Sequence, residues 1–451
     1  MSLWVAEHGR IYKERSGQIL DLKCGDISLG KDDFDSLHCL VEENEQSELD
    51  PVLKYSFSKD QRFYKVQGYV GVVRTSTDCQ FEILPKIAKS TSADRARKLL
   101  IKMLIELEDS QFKKGVLSNL NTHKMTLYEL FMRQFLDRVA DIVKKGIARS
   151  YVNQQGNLSY LRGKLLLQEN IKRNSADMSH FFCEYDEFYT NRPINRLIKS
   201  ALNMVAWSSR ESSNLQLCQE LSSWFENVPA SLDVERDFRA VRHDRLIQQY
   251  LPAMPLCRMI LNGLNPLTEQ GKNQTQSILF PMSKIFEQYV YKTLSSQLQD
   301  WIVRYQVQER NLVESHIGKD RGEFIGRFRL KPDLEFTKKT DNLRVIGDAK
   351  WKLIDKDHGK NYDIEASDVY QMFAYAMKYL ECQQKKQVLL IYPKTETFDK
   401  PLAPFWFKNV EDHEEVIYVV PFDLKANKLI WYEGTPLFDF ETMPENSIVA
   451  T

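Results

Sequence analysis

The sequence predicts an α+β chain of several domains: a β-rich region over residues 1–88, a mainly helical region over 89–262 and an α/β unit over 276–451. Three observations predict it. Val66–Thr75 is β-branched and punctuated by glycine, and Phe81–Ile87 follows after a polar turn. Arg95–Leu107 and Leu127–Val143 carry apolar residues at helical spacing. Arg329–Lys352 reads as two strands joined by a polar turn, with a helical pattern on either side. A chain of 451 residues is long enough for two or three domains.

In chain order, Val66–Thr75 is expected to be one curved strand of a small sheet or barrel. The helix over Arg95–Leu107 would bury Leu99, Leu100, Met103, Leu104 and Leu107. The next would bury Leu130, Phe131, Phe135, Val139 and Ile142. Around Tyr151–Leu167, basic residues (Lys144, Lys145, Arg149, Arg162, Lys164) alternate with Tyr151 and Tyr160. That mixture suits phosphate contacts, a protein interface or a solvated charged face. Glu184, Asp186 and Glu187 lie close together, but no lysine or histidine completes a second metal site there. Asn262–Ser277, rich in Gly, Asn, Gln and Pro, is the expected domain boundary. Val416–Val420 and Leu429–Tyr432 are expected to be peripheral strands.

The chemistry gathers in Arg329–Lys352. Asp333 opens the first strand, and Asp348 lies near the end of the second. Asp348 and Lys350 are two apart, so an extended chain points both to one face. A hairpin brings Asp333 to the same end, placing two carboxylates and an ammonium around one volume, exposed at a cleft. One or two carboxylates plus a substrate phosphate suffice for Mg²⁺, which prefers oxygen ligands and keeps several waters. Upstream, Pro281 opens a helix whose apolar stripe is Phe286, Val290 and Leu294, with Glu287 beside it as a third acid. Downstream, Gln371 and Tyr375 share one face of a second helix. Val388–Tyr392 then reads as a short buried strand.

Composition sets limits. Lys+Arg and Asp+Glu each number 62, which excludes a globally basic nucleic-acid coat but not a local basic groove. Hydrophobic content of 43% supports a folded core rather than a disordered chain. The seven cysteines show no C-x-x-C pair or zinc spacing, as expected of reduced thiols in the cytoplasm. Neither a signal-peptide core nor a bilayer-length apolar run is present. No G-x-x-x-x-G-K-[ST] phosphate loop occurs either.

The order acidic helix, Asp333 strand, D-x-K strand, Gln/Tyr helix, strand resembles the PD-(D/E)xK restriction-endonuclease-like fold, in its RecB-like branch with a Q-x-x-x-Y helix. Three earlier segments carry a more particular likeness: GYVGVVRTSTDCQFEILPKI, NLSYLRGKLLLQENIKRN and CEYDEFYTNRPINRLIKSAL. With the nuclease set, they resemble the McrC family, the nuclease subunit of the modified-cytosine restriction system. The resemblance implies an Mg²⁺-dependent endodeoxyribonuclease acting on double-stranded DNA with modified cytosine. Glu287, Asp333 and Asp348 would be catalytic metal ligands, Lys350 the catalytic lysine, and Gln371 and Tyr375 the accessory DNA-binding pair. It also implies a partner, a hexameric McrB-like AAA+ GTPase that hydrolyses the GTP and is stimulated by the N-terminal half. The resemblance carries over no partner contact residue by residue; the basic segment with Asn157, Arg162 and Lys164 is the expected docking surface. Cutting two strands with one site per chain would favour dimerisation. Two other readings stay open: a RecB-like nuclease that works alone, and a non-catalytic AAA+ activator that keeps the fold as scaffold.

Overall fold

The computed structural model describes residues 3–14, 22–38, 41, 51–58, 61–75, 79–89, 92–106, 126–176, 179–241, 247–262, 276–316, 324–355, 358–383, 385–407 and 414–433. Residues 263–275 of the expected boundary and residues 76–78 of the expected turn lie outside them, as do the side chains of Tyr151 and Glu187.

The first strands are β1 (Leu3–Ala6), β2 (Arg10–Lys13) and β3 (Ile27–Leu29), followed by the short helix α1 (Lys31–Ser36). Next come β4 (Leu53–Ser58), β5 (Gln61–Val66), β6 (Tyr69–Arg74) and β7 (Gln80–Leu84). The single curved strand expected over Val66–Thr75 is instead two. β5 ends at Val66 in a sheet of order β3-β2-β5-β4, and after Gln67-Gly68 the chain enters a second sheet as β6. The step between sheets lets Val66, Tyr69 and Val73 share one core with Val5, Ile11 and Phe81.

The middle region begins with α2 (Ala93–Glu106) and α3 (Leu127–Lys145). The Thr126 side chain caps α3 by accepting from the Glu129 amide, and Lys144 and Lys145 in its last turn oppose the helix dipole. The predicted stripe Leu130, Phe131, Phe135, Val139, Ile142 is wholly buried. This region is less uniformly helical than expected. β8 (Ser150–Leu158), β9 (Lys164–Leu165), helix α4 (Leu167–Asn174) and β10 (Phe181–Tyr189) follow, and the strands form an antiparallel sheet of order β8-β10-β9. Helices α5 (Pro193–Ser208), α6 (Ser212–Ser223), α7 (Val234–Ala240) and α8 (Met254–Asn262) complete it.

β11 (Gln276–Pro281) pairs antiparallel with β6, so this strand is an edge of the second N-terminal sheet, order β1-β7-β6-β11. It runs straight into α9 (Met282–Gln297), whose first amide donates to the Gly68 carbonyl at 2.8 Å. After β12 (Trp301–Tyr305), a separate hairpin is made by β13 (Asn311–His316) and β14 (Phe324–Arg329). The main sheet continues with β15 (Leu334–Lys338), β16 (Arg344–Ala349), helix α10 (Ala366–Tyr379), β17 (Lys385–Pro393), β18 (Phe405–Trp406), β19 (Glu414–Asp423) and β20 (Lys428–Leu429).

Its order is β12-β15-β16-β17-β19-β18, with β20 beside β19; β16, β17 and β19 run parallel and the remaining pairs are antiparallel. Alternation sorts the two faces. Phe336, Val345, Leu389 and Ile391 join the core with Phe286 and Tyr289 of α9. Ile346, Val388 and Leu390 join the core with Met372, Tyr375 and Tyr379 of α10. Burial on both faces explains why β17 is apolar throughout Val388–Tyr392. Val416–Val420 is not peripheral: it lies in β19, an interior strand, because it too is buried on both faces. Among the described residues no disulfide joins two cysteines. Among the described residues no helix is long and apolar enough to cross a membrane.

Candidate active site

Three neighbouring elements bring the expected residues together at one end of the main sheet. β15 and β16 pair antiparallel with Leu334 opposite Gly347, which sets Asp333 beside Asp348 and Ala349. A Cβ on Gly347 would lie 2.9 Å from the Phe336 ring, so glycine is required for so close an approach. The Asp333 carboxylate accepts from the Ala349 amide at 2.9 Å. The Lys350 amide donates to the Ile391 carbonyl at 2.9 Å, extending the β16–β17 ladder past Asp348.

Asp348 is 1% exposed, so the expectation of carboxylates exposed at a cleft is corrected for this residue: its strand is covered by α10. The Lys350 ammonium sits 2.5 Å from Asp348 Oδ2 and donates to Gln371 Oε1 at 2.9 Å. Gln371 Nε2 donates to the Tyr375 hydroxyl at 2.6 Å, which donates to the Lys331 carbonyl at 2.9 Å. The four-residue spacing on α10 thus orients the lysine through a chain of fixed polar groups.

The charges strain against each other. Burial, then Asp348, push the Glu287 carboxyl up to about 7, against Lys350, Lys284 and a hydrogen bond from Gln306. Burial, with Asp348 and Glu287, raises Asp333 well above the usual carboxylate range. Burial also raises Asp348, although Lys350 opposes it. Burial disfavours the Lys350 charge, but Asp348, Asp333 and Asp368 outweigh it, and the ammonium is held above its ordinary value. Crowded carboxylates of this kind are relieved by a proton or by a cation.

The donor set fits a hard divalent ion. Both Asp348 oxygens are buried and neither accepts a well-aligned hydrogen bond, despite the nearby ammonium. Among the described residues no three or more His, Cys, Asp or Glu side chains form a ready-made metal cage. What fits is therefore a site of one or two carboxylates completed by water and a substrate oxygen, the mode Mg²⁺ adopts.

Sequence reasoning missed several groups here. Asp368, in the first turn of α10, binds the Lys352 ammonium at 3.0 and 2.9 Å and accepts from the Tyr392 hydroxyl at 3.1 Å. Gln306, at φ 50°, donates its amide to the Asp333 carbonyl at 2.9 Å and its side chain meets Glu287. Only its polar position after β12 could have signalled it.

Asn157, Arg162 and Lys164 are not part of this cluster; they lie on the sheet of the middle region. Asn157 and Asn174 exchange side-chain hydrogen bonds of 2.9 and 2.8 Å, clasping β8 to α4. Arg162 lies over the Tyr185 ring at 4.6 Å, and Lys164 pairs with Glu184 across β9 and β10. Beside them Tyr160 and Leu161 are 58% and 60% exposed, and Leu167 and Ile171 are exposed too. Apolar residues between basic ones were the available signal, visible in Tyr160-Leu161-Arg162.

Fold and site define a mixed α/β protein with a carboxylate–lysine centre on its C-terminal sheet. Residues 64–393 match the family described as McrBC 5-methylcytosine restriction system component, and the chain belongs to that family. Its fold is similar to a chain of the refined half-complex from the tetradecameric assembly of Thermococcus gammatolerans McrB AAA+ hexamers with bound McrC, with TM-score 0.65 and 19% identity over 97% of both chains. It is also similar to a chain of the cryo-EM structure of the Thermococcus gammatolerans McrBC complex, with TM-score 0.50 and 21% identity over 69% of this chain and 90% of that one. No curated protein sequence matches the chain.

Proposed function

We propose that the chain is the endodeoxyribonuclease subunit of a McrBC-type restriction system. In this reading it cleaves double-stranded DNA carrying modified cytosine, requires Mg²⁺, and works with a McrB-like AAA+ GTPase hexamer that supplies GTP hydrolysis. The observation that carries it is the buried Asp348 carboxylate without aligned donors, set beside Asp333, Glu287 and Lys350. The Lys350 ammonium at 2.5 Å offsets only part of the charge that Asp348 shares with Asp333 and Glu287, and a bound cation would offset the rest.

Asp333 and Asp348 would hold the ion, with Glu287 as a further acid on the opposite wall. When bound, Mg²⁺ polarises the phosphodiester and acidifies an attacking water. The chain's own groups do the rest. Lys350, kept charged by its neighbours, offsets negative charge growing on the phosphate oxygens. Gln371 and Tyr375 hold the ammonium on the Asp348 side, so little reorganisation accompanies the reaction. Glu287, pushed up to about 7, can take or give a proton near neutrality. The β13–β14 hairpin, directly before Asp333, exposes Arg327, Phe328 and Arg329, a basic and aromatic set suited to a DNA backbone.

Docking of the partner belongs to the middle region, where the exposed apolar residues beside Arg162 and Lys164 need a cover. The membership in the McrBC family and the fold shared with McrC-containing assemblies support this division of labour. Cutting both strands with one site per chain favours pairing of two copies on DNA.

The test is cleavage of modified DNA by the chain with its cognate GTPase, GTP and Mg²⁺, comparing wild type with Asp348→Ala. Cleavage is expected in the first and not in the second, with GTPase stimulation equal in both. Equal cleavage by both would refute the site. Cleavage without the GTPase would favour a stand-alone nuclease, and stimulation with no cleavage by the wild type a non-catalytic activator.

A further inference from the structure

The candidate site is built from C-terminal elements, yet the N-terminal half reaches into it. Glu7, directly after β1, is 1% exposed. Its Oε2 accepts from the Trp351 indole Nε1 at 2.8 Å and from the Lys86 amide at 3.2 Å, while Oε1 faces His8 at 3.4 Å. The Lys86 ammonium donates to the Trp351 carbonyl at 2.7 Å and lies 5.4 Å from the centre of its ring. Trp351 is the residue after Lys350. Its ring packs on Phe286 at 5.3 Å, and Phe286 precedes Glu287.

Three of these contacts span more than 250 positions of sequence and close on one tryptophan. A second tie acts on the other wall, since β11 pairs with β6 and Gly68 accepts from the first amide of α9. Asp333 and Asp348, by contrast, are fixed within the main sheet itself. The N-terminal half therefore holds Lys350 and Glu287 but not the two aspartates. A buried carboxylate costs stability unless it is fully hydrogen-bonded, and packing alone would need only an apolar side chain here. Its presence specifies the place of the indole rather than mere adhesion.

Resting on the nuclease reading above, we propose that Glu7 is a positioning residue for the cleavage site. Through Trp351 it sets Lys350, and through the Trp351–Phe286 contact it sets Glu287. Whatever shifts the N-terminal half, a docked partner above all, thereby reaches the lysine and the acid without touching either.

The experiment uses the full chain carrying Glu7→Ala or Glu7→Gln, assayed with its GTPase. Two readouts are taken: amide hydrogen exchange of the segment 349–355, and single-turnover cleavage of bound modified DNA. For Glu7→Ala, exchange in that segment is expected to rise about tenfold as its local anchor is lost. Cleavage is expected to slow by about ten- to a hundredfold, the effect of a displacement near 1 Å. DNA affinity and GTPase stimulation stay at wild-type values. Glu7→Gln keeps an acceptor for the indole and is expected to restore most of the rate. Wild-type cleavage by Glu7→Ala overturns the proposal. So does a Gln variant as slow as Ala, or an exchange increase spread through the whole molecule. If the wild-type chain does not cleave, the nuclease reading falls by itself. The exchange arm then decides: a rise confined to 349–355 upholds the positioning contact, and no rise overturns it.

Discussion

The carboxylate–lysine corner of the main sheet and the small β8-β10-β9 sheet are both rich in charge, yet they are built in opposite ways. In the corner, charges are buried against each other, and an ordered chain of hydrogen bonds from Lys350 to Gln371 to Tyr375 holds them. Around the small sheet the polar groups are satisfied locally, and it is the apolar Tyr160 and Leu161 of the β8–β9 connection and Leu167 and Ile171 of α4 that face solvent. The first arrangement stores electrostatic tension that a cation and a phosphate can relieve. The second leaves apolar area that a protein partner can cover. In the proposed reading, chemistry and docking leave different physical marks, and each can be tested without the other.

The largest expected effect comes from removing the buried acid. Asp348→Ala should lower cleavage by about a thousandfold or more, as loss of a metal-holding, charge-stabilising group does. GTPase stimulation should be unchanged, because the small sheet is untouched. Cleavage within tenfold of wild type, about 1.4 kcal/mol, would remove Asp348 from the chemistry.

Lys350→Ala should cost less, about a hundredfold in the single-turnover rate, with DNA affinity nearly kept, since its proposed role lies in the transition state. Lys350→Arg should rescue only in part, because a planar guanidinium does not fit the contact to both Asp348 and Gln371. Loss of DNA affinity at an unchanged single-turnover rate would make Lys350 a phosphate anchor instead.

The opposite signature is expected on the small sheet. Leu161→Ser with Tyr160→Ser should reduce GTPase stimulation by about tenfold, as truncation of central apolar anchors does at interfaces. Asn157→Ala should act differently, through stability, because its amide is spent clasping α4. The melting temperature separates the two: lowered for Asn157→Ala, unchanged for the serine pair. A pair that stimulates normally would move docking elsewhere.

How much of this was legible in sequence follows the same division. The corner was legible because its spacing is local: D-x-K in a strand and Gln371 to Tyr375 in a helix fix relative directions by backbone geometry alone. Buried helical stripes such as Leu130–Ile142 were legible for the same reason. The burial of Asp348 was not, since it depends on α10 crossing over β16. Glu7, Lys86 and Gln306 were invisible because their partners are set by tertiary packing and carry no periodicity. The pairing of β11 with β6 was hidden likewise: residues 276–281 lead into the acidic helix but belong by hydrogen bonding to the N-terminal sheet. A fragment ending at residue 262 would leave the β6 edge bare, so a dissection that keeps residues 1–281 is the better test of an autonomous N-terminal half.

The smallest effect tests the electrostatic tension directly, without partner or substrate. Glu287 and Asp333 have folded-state values above those of the unfolded chain, so the folded protein binds the extra protons. Stability from Glu287 is then fully present below its unfolded value of 4.5 and lost as pH rises through about 7, and Asp333 acts in the same direction. Without Mg²⁺, the melting temperature should fall between pH 5 and pH 7.5 by about 1–2 °C, equivalent to about 1–2 kcal/mol. Lys350 does not offset this, because a raised lysine titrates far above that window. Glu287→Gln should flatten the fall, since the amide has no proton to lose. Mg²⁺ should raise the melting temperature at pH 7.5 and do less at pH 5, where protons already occupy the acids. A stability that rises across this window in wild type, with no change in Glu287→Gln, would mean that the corner is a relaxed ion-pair network and that its acids are not held in reserve for a ligand.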